Sequence, residues 1–233
     1  GLGDFREASI ELSSEFGTNL KLTYKTHRIY QGKKDLEGLP SSFASDDQVE
    51  TLEIDLYDDI NDVTVTLIYS LFAELNYLAR SVKVTTGQTQ VQLEKVLSFS
   101  LDLPNSDWDV HTLTGRYGYE KEWTITPLPQ GKYEIGSVRG ASSHARTPFI
   151  ALADKTITED AGEIYSAQLV YSGNFTAFAE TSAIQNTRWG IGLNGTQFKW
   201  QLEPNTSFQT PEALISYTDK GLTEMTRLSQ EFV

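Results

Sequence analysis

The sequence contains no cysteine. Disulfides, thiolate nucleophiles and cysteine-ligated zinc are excluded with it. Histidine is scarce, with only His27, His111 and His144 available for general acid–base work or metal ligation. No apolar run approaches the roughly 20 residues of a membrane-spanning helix. Positive charge is in short supply: 19 basic residues face 32 acidic ones, a net charge of −13. No long basic block occurs. Such an excess of negative charge repels phosphate backbones and anionic lipid, so neither nucleic acid nor a membrane is an expected partner. There is no GxGxxG or Walker loop. The acidic run Asp58-Asp59-Ile60-Asn61-Asp62 lacks the ligand spacing of an EF-hand and reads as a turn. No cofactor and no metal are expected.

What is present is alternation. In Val49 to Leu56, Leu52, Ile54 and Leu56 fall on one face, with Glu53 and Asp55 on the other, an expected solvated face. Val63 to Tyr69 follows the acidic turn and completes a hairpin. Arg80 to Val84 and Gln90 to Val96 flank a Thr-Thr-Gly-Gln turn in the same way. Further strands are expected over 117–126, 164–172, 175–181, 187–193, 198–202 and 212–217. Closely spaced strands divided by Gly, Pro, Asn and Asp predict an all-β chain forming one large antiparallel β-sandwich. The tail differs. Leu222, Met225, Leu228 and Phe232 form a helical stripe after Gly221, expected to dock on a part of the protein outside this sequence.

Three places invite a chemical reading. The run Arg139 to Phe149, RGASSHARTPF, puts two arginines and a histidine in a loop that feeds an apolar strand. Asp107 and Asp109 flank Trp108 in an expected loop, and Trp108 is the candidate for stacking on a sugar ring. Trp123 shares that possibility, whereas Trp189 and Trp200 read as core residues. His27 reads as structural, His111 follows the Trp108 loop and reads as exposed, and His144 is the best placed of the three for chemistry, with no second histidine beside it.

Read in order, GDFREA (3–8), QGKKDLEGLP (31–40), LDLPNSDWDVHTLTG (101–115), RGASSH (139–144), LVYSGNF (169–175) and WQLEPNTSFQTPE (200–212) resemble the N-terminal domain of the α-galactosidases of glycoside hydrolase family 36. The resemblance covers nearly the whole chain. It implies a supersandwich of the galactose-mutarotase-like kind with a short C-terminal helix. It also implies a domain over 1–221, with 222–233 opening the linker to a catalytic (β/α)8 barrel that the sequence does not contain. The missing initiator Met fits an excised domain. In that family the two catalytic aspartates of the retaining mechanism lie on the barrel, so no catalytic residue is assigned here. The absence of cysteine leans towards a reducing bacterial cytoplasm, and the resemblance further implies a homotetramer acting on α-galactosides. In it, Asp4, Phe5 and Arg6 would reach the rim of a neighbouring subunit's site. Arg139 and His144 would meet the chain's own barrel. Ala8 departs from the family's usual proline, and Ala145-Arg146-Thr147 departs from its commoner polar pattern. The alternative reading is a stand-alone carbohydrate-binding or mutarotase-like sugar domain. The latter would need a histidine acid and a carboxylate base around an open site.

Overall fold

The computed structural model describes residues 5, 7–42, 45–116, 119–138, 146–196 and 198–230. The chain opens with β1 (Ile10–Ser14), β2 (Thr23–Gln31), a single 3-10 turn, β3 (Val49–Asp58), β4 (Val63–Phe72), β5 (Tyr77–Thr86) and β6 (Val91–Leu103). It continues through β7 (Trp108–Arg116), β8 (Tyr119–Pro127), β9 (Lys132–Gly136), β10 (Arg146–Asp154), β11 (Ile164–Leu169) and β12 (Phe175–Thr181). It closes with β13 (Thr187–Leu193), β14 (Trp200–Leu202), β15 (Ser207–Gln209), β16 (Ala213–Thr218) and the helix α1 (Gly221–Gln230). The larger sheet has ten strands in the order β2-β3-β4-β5-β16-β11-β10-β7-β8, with β15 also on β5. The smaller has six, β1-β6-β13-β12-β9, with β14 also on β6. Every pairing between named strands is antiparallel, as the alternation predicts.

The inner faces of the two sheets meet in two apolar clusters. Trp189, Phe175, Ile191, Ile150 and Leu152 belong to one, and Val63, Val65, Val82, Val84 and Leu93 to the other. The acidic turn between β3 and β4 is built by its own side chains. Asp58 accepts from the Asn61 backbone N–H at 2.8 Å and from that of Lys21. Burial pushes the Asp58 carboxyl up, but these donors outweigh it and hold it below its usual range.

The outer face of the large sheet is divided between two coverings. At one end α1 packs on it. Met225 is fully buried among Phe149, Ala151, Ala153 and Ile164, and its sulfur lies 3.6 Å from the Ser216 hydroxyl. The described part of the helical stripe, Leu222, Met225 and Leu228, therefore docks on the sandwich itself, a correction to the expectation of an outside partner, while Phe232 lies outside the described residues. Gly221 sets the turn into the helix with φ of +77°. A Cβ there would come within 2.5 Å of Thr158 O and Ala161 N. The helix's first N–H groups are satisfied by that same loop, Leu222 on Thr158 O and Thr223 on Glu159 O, both at 3.0 Å. The other end of the outer face is open.

Candidate functional site

The open end lies over β2 to β5. Register puts Thr51, Glu53 and Asp55 of β3 opposite Ser70, Ile68 and Thr66 of β4, which in turn face Ala79, Ser81 and Lys83 of β5. On the far side, Tyr30 and Arg28 of β2 face Thr51 and Glu53. Alternation thus collects the polar residues of four strands on one face. A cavity of about 1120 Å3 opens over them. Its walls come from the loop after β2, the turn after β11 and the segment around β14 and β15. These are the motifs QGKKDLEGLP, LVYSGNF and WQLEPNTSFQTPE.

The expected solvated face of β3 is instead buried, with Glu53 only 5% exposed. Arg28 is the reason. Its guanidinium contacts the Glu53 carboxylate and bonds Asp55 at 2.9 Å. The Tyr30 hydroxyl donates to Glu53 at 2.7 Å, and Thr66 Oγ1 donates to Asp55 at 2.7 Å. Lys34 stands 3.5 Å from Glu53 and over the Tyr30 ring. Burial pushes the Glu53 carboxyl up, but Tyr30, Arg28 and Lys34 outweigh it and keep the group ionised. Burial and the bond to Glu53 push the Tyr30 phenol well above its usual range. A second pair, Lys33 and Glu212 at 2.7 Å, closes another part of the wall, and Ser42 N–H donates to Glu212 at 3.0 Å.

The apolar part of the wall is aromatic. Trp200 is 51% exposed and stacks obliquely on Phe208, with ring centroids 5.3 Å apart. Phe198 meets Phe208 at 5.7 Å, and Tyr171 adds a further ring to the lining. Trp200 is therefore a surface residue, contrary to the expectation of core. Its strand β14 lies at the border of the smaller sheet, where one face of a short strand stays open. Among the described residues no histidine lines the cavity, so the acid–base pair of a mutarotase has no described candidate there. Ionised, paired carboxylates and free aromatic faces suit binding rather than proton transfer.

The remaining expected site residues fall elsewhere. Trp108 opens β7 and is 4% exposed, covered edge-on by Tyr165 at 5.8 Å. It offers no face to a sugar, because the alternation that sends Val110 into the core sends Trp108 there too. Asp107 beside it is an exposed partner of Lys155. His111 is buried, not exposed: its Nδ1 accepts the Trp123 indole N–H at 2.8 Å, and burial lowers its pKa. His27 lies exposed in β2, its Nδ1 2.6 Å from the Tyr24 hydroxyl. Asp4, Arg6, Arg139 and His144 lie outside the described residues.

Phe5 is described, and its surroundings are specific. The Arg188 guanidinium stacks over its ring at 4.4 Å and also donates to Glu7 O at 2.9 Å. Glu7 N–H donates to Glu180 at 3.1 Å. The Glu7 carboxylate sits between the ammonium groups of Lys95 and Lys132. Burial pushes that carboxyl up, and the two lysines outweigh it and hold it below its usual range. Residues 5 and 7 are thus pinned across β6, β9, β12 and β13 of the smaller sheet. Among the described residues no helix is long and apolar enough to cross a membrane.

The family described as the glycosyl hydrolase family 36 N-terminal domain matches residues 1–203. The chain belongs to that family. As a family 36 N-terminal domain, it is 41% identical over 234 residues to α-galactosidase AgaA of Geobacillus stearothermophilus, covering 99% of this chain and 32% of that protein. It is 36% identical over 229 residues to α-galactosidase 2 of Hypocrea jecorina, covering 97% of this chain and 31% of the relative. The crystal structure of AgaA superimposes with a TM-score of 0.95 at 40% identity, over 98% of this chain and 32% of that one. The α-galactosidase of Lactobacillus brevis gives 0.95 at 34% identity, over 100% and 32%. The chain thus spans about a third of the length of the relatives it matches.

Proposed function

We propose that this chain is the non-catalytic N-terminal portion of an α-galactosidase that hydrolyses terminal α-galactosyl residues of melibiose- or raffinose-type oligosaccharides with retention. The names of its relatives support the activity, and one of the similar solved structures is an AgaA variant in complex with raffinose. In this reading residues 1–221 are the sandwich, and 222–233 open the connection to a catalytic (β/α)8 barrel. The docking of Met225 and Leu228 on the sandwich would hold the start of that connection still. The cysteine-free composition fits a reducing bacterial cytoplasm.

The observation that carries the domain's own role is the pinned N-terminal segment. Arg188, Glu180, Lys95 and Lys132 fix residues 5 and 7 from four strands. A segment fixed in this way is suited to presenting Asp4, Phe5 and Arg6 to a partner surface. In a homotetramer that surface would be the rim of a neighbouring subunit's galactoside site. Arg139 and His144 would serve the contact with the chain's own barrel.

The test is kinetic, in the full-length enzyme that contains this chain. Asp4→Ala should raise KM for p-nitrophenyl-α-galactoside and melibiose by the equivalent of about 1–3 kcal/mol, the cost of leaving a polar partner unsatisfied. Mixing Asp4→Ala subunits with subunits lacking a barrel aspartate should restore some native composite sites. Unchanged kinetics of the Asp4→Ala enzyme on both substrates would reduce the segment to a structural strap.

A further inference from the structure

The cavity over β2 to β5 has no part in the role just proposed, and three features of it point to one ligand class. The first is charge balance. Lys25, Arg28, Lys33, Lys34 and Lys83 line it on the positive side. Asp35, Glu37, Glu53, Asp55 and Glu212 line it on the negative side. In a chain carrying −13 overall, this is a locally neutral surface. A polyanion gains nothing there, and a polycation gains nothing either.

The second feature is the aromatic wall. A half-exposed indole backed by a second ring presents a flat apolar face at little entropic cost, since Trp200 is already held against Phe208. The Trp200 indole N–H and the Lys83 ammonium have no hydrogen-bond partner among the described residues, so both remain available to a ligand. The third is the pre-set polar floor. Arg28, Glu53, Asp55, Tyr30 and Thr66 fix one another, so their outward lone pairs and N–H groups keep their positions with no ligand bound. Flat C–H faces to stack on, hydroxyl groups to pair in both directions and no net charge define a neutral carbohydrate. The volume of about 1120 Å3 lies above the roughly 300–1,000 Å3 of ordinary small-ligand pockets, room for more than one ring.

We infer that the cavity between the β2–β5 face and the Trp200–Phe208 wall is a binding site for a neutral oligosaccharide. This site is carried by the domain itself and does not depend on the activity of any longer protein. Its ring-stacking platform is Trp200, and Lys83 is its free hydrogen-bond donor.

Isothermal titration of the purified chain with raffinose, maltotriose and cellotriose tests this, with trigalacturonate as the anionic comparison. At least one neutral trisaccharide should bind saturably at a millimolar Kd or tighter, and more tightly than trigalacturonate. Trp200→Ala and Lys83→Ala should each weaken that binding, the former tenfold or more. Both side chains are exposed, so folding should survive, and circular dichroism checks it. Trp200→Phe keeps a ring and should retain most of the affinity. Ile125→Ala, exposed but outside the cavity, should leave Kd unchanged. Three results would each overturn the inference. One is no saturable heat with any neutral trisaccharide up to about 50 mM, where even a binding energy near −4 kcal/mol registers. The others are preference for trigalacturonate, and an unchanged Kd in Trp200→Ala.

Discussion

Replacing Glu7 with alanine should release the N-terminal segment without unfolding the sandwich. The structure sets the size of the effect. Breaking one side of a fully buried ion pair costs about 3–5 kcal/mol, while a surface pair is worth about 0–1 kcal/mol. The Glu7 contacts fall between, with side-chain exposures of 16% for Glu7, 14% for Lys95 and 34% for Lys132. Lys132 keeps Glu134 as a partner, whereas Lys95 keeps no carboxylate among the described residues. A local cost of about 1–3 kcal/mol follows, equivalent to about a 5- to 150-fold change in an opening equilibrium. Amide exchange reads it directly. The N–H of residue 7, which donates to Glu180, should exchange faster by that factor, while amides of β12 and β13 keep their protection. The pH dependence has a definite sign. The folded carboxyl titrates below its ordinary value of 4.5. Its stabilisation is therefore fully present above that value and is lost as pH falls through the lower folded one. The gap between native and Glu7→Ala protection should close on acidification. Equal exchange at residue 7 in both proteins at neutral pH would refute the anchoring argument.

Other substitutions probe separate parts of the account. Glu53→Gln keeps the shape of the floor but removes its charge. Because half-exposed Arg28 can turn to water, the loss should be about 1–2 kcal/mol by urea denaturation. No change in midpoint would mean that the network contributes nothing. Gly221→Ala forces a Cβ against Thr158 O and Ala161 N at positive φ, and should lower Tm by detaching α1, with a cost of about 1–3 kcal/mol. Trp189→Ala empties a fully buried site against Phe99 and should cost about 3–5 kcal/mol in a single cooperative transition. Two resolved transitions in that variant would argue for two separately folding cores.

The strands with clean alternation were legible from residues alone. The β3–β4 hairpin, β12 and β13 all lie where period-two patterning places them. β7 was hidden because two aspartates bracket Trp108 and mimic a loop, although Val110 and Thr112 continue the inward face. His111 looked exposed for the same reason, since the Trp123 ring that covers it arrives from a neighbouring strand. The face of β3 carrying Glu53 and Asp55 misled in the opposite direction. Charged residues on a strand read as solvated until a cation and a loop from β2 cover them. The cavity itself could not be read along the chain. Its walls come from three motifs more than a hundred residues apart at their extremes, and only strand order brings them together. Those motifs identify the family by their order, yet nothing in their spacing says that they share one wall.

The central proposal is that this domain supports an α-galactosidase and carries none of its bond-breaking chemistry. The measurement that tests it most directly is turnover of p-nitrophenyl-α-galactoside by the purified chain beside the full-length enzyme that contains it. The retaining mechanism needs two carboxyl groups about 5 Å apart with one of them free to donate a proton. The buried Glu53 and the half-buried Asp55 carboxylates are instead ionised and tied to Arg28. The account predicts turnover by the full-length enzyme and none by the chain alone. Release of p-nitrophenol by the chain alone, at a rate comparable to that of the full-length enzyme, would contradict it.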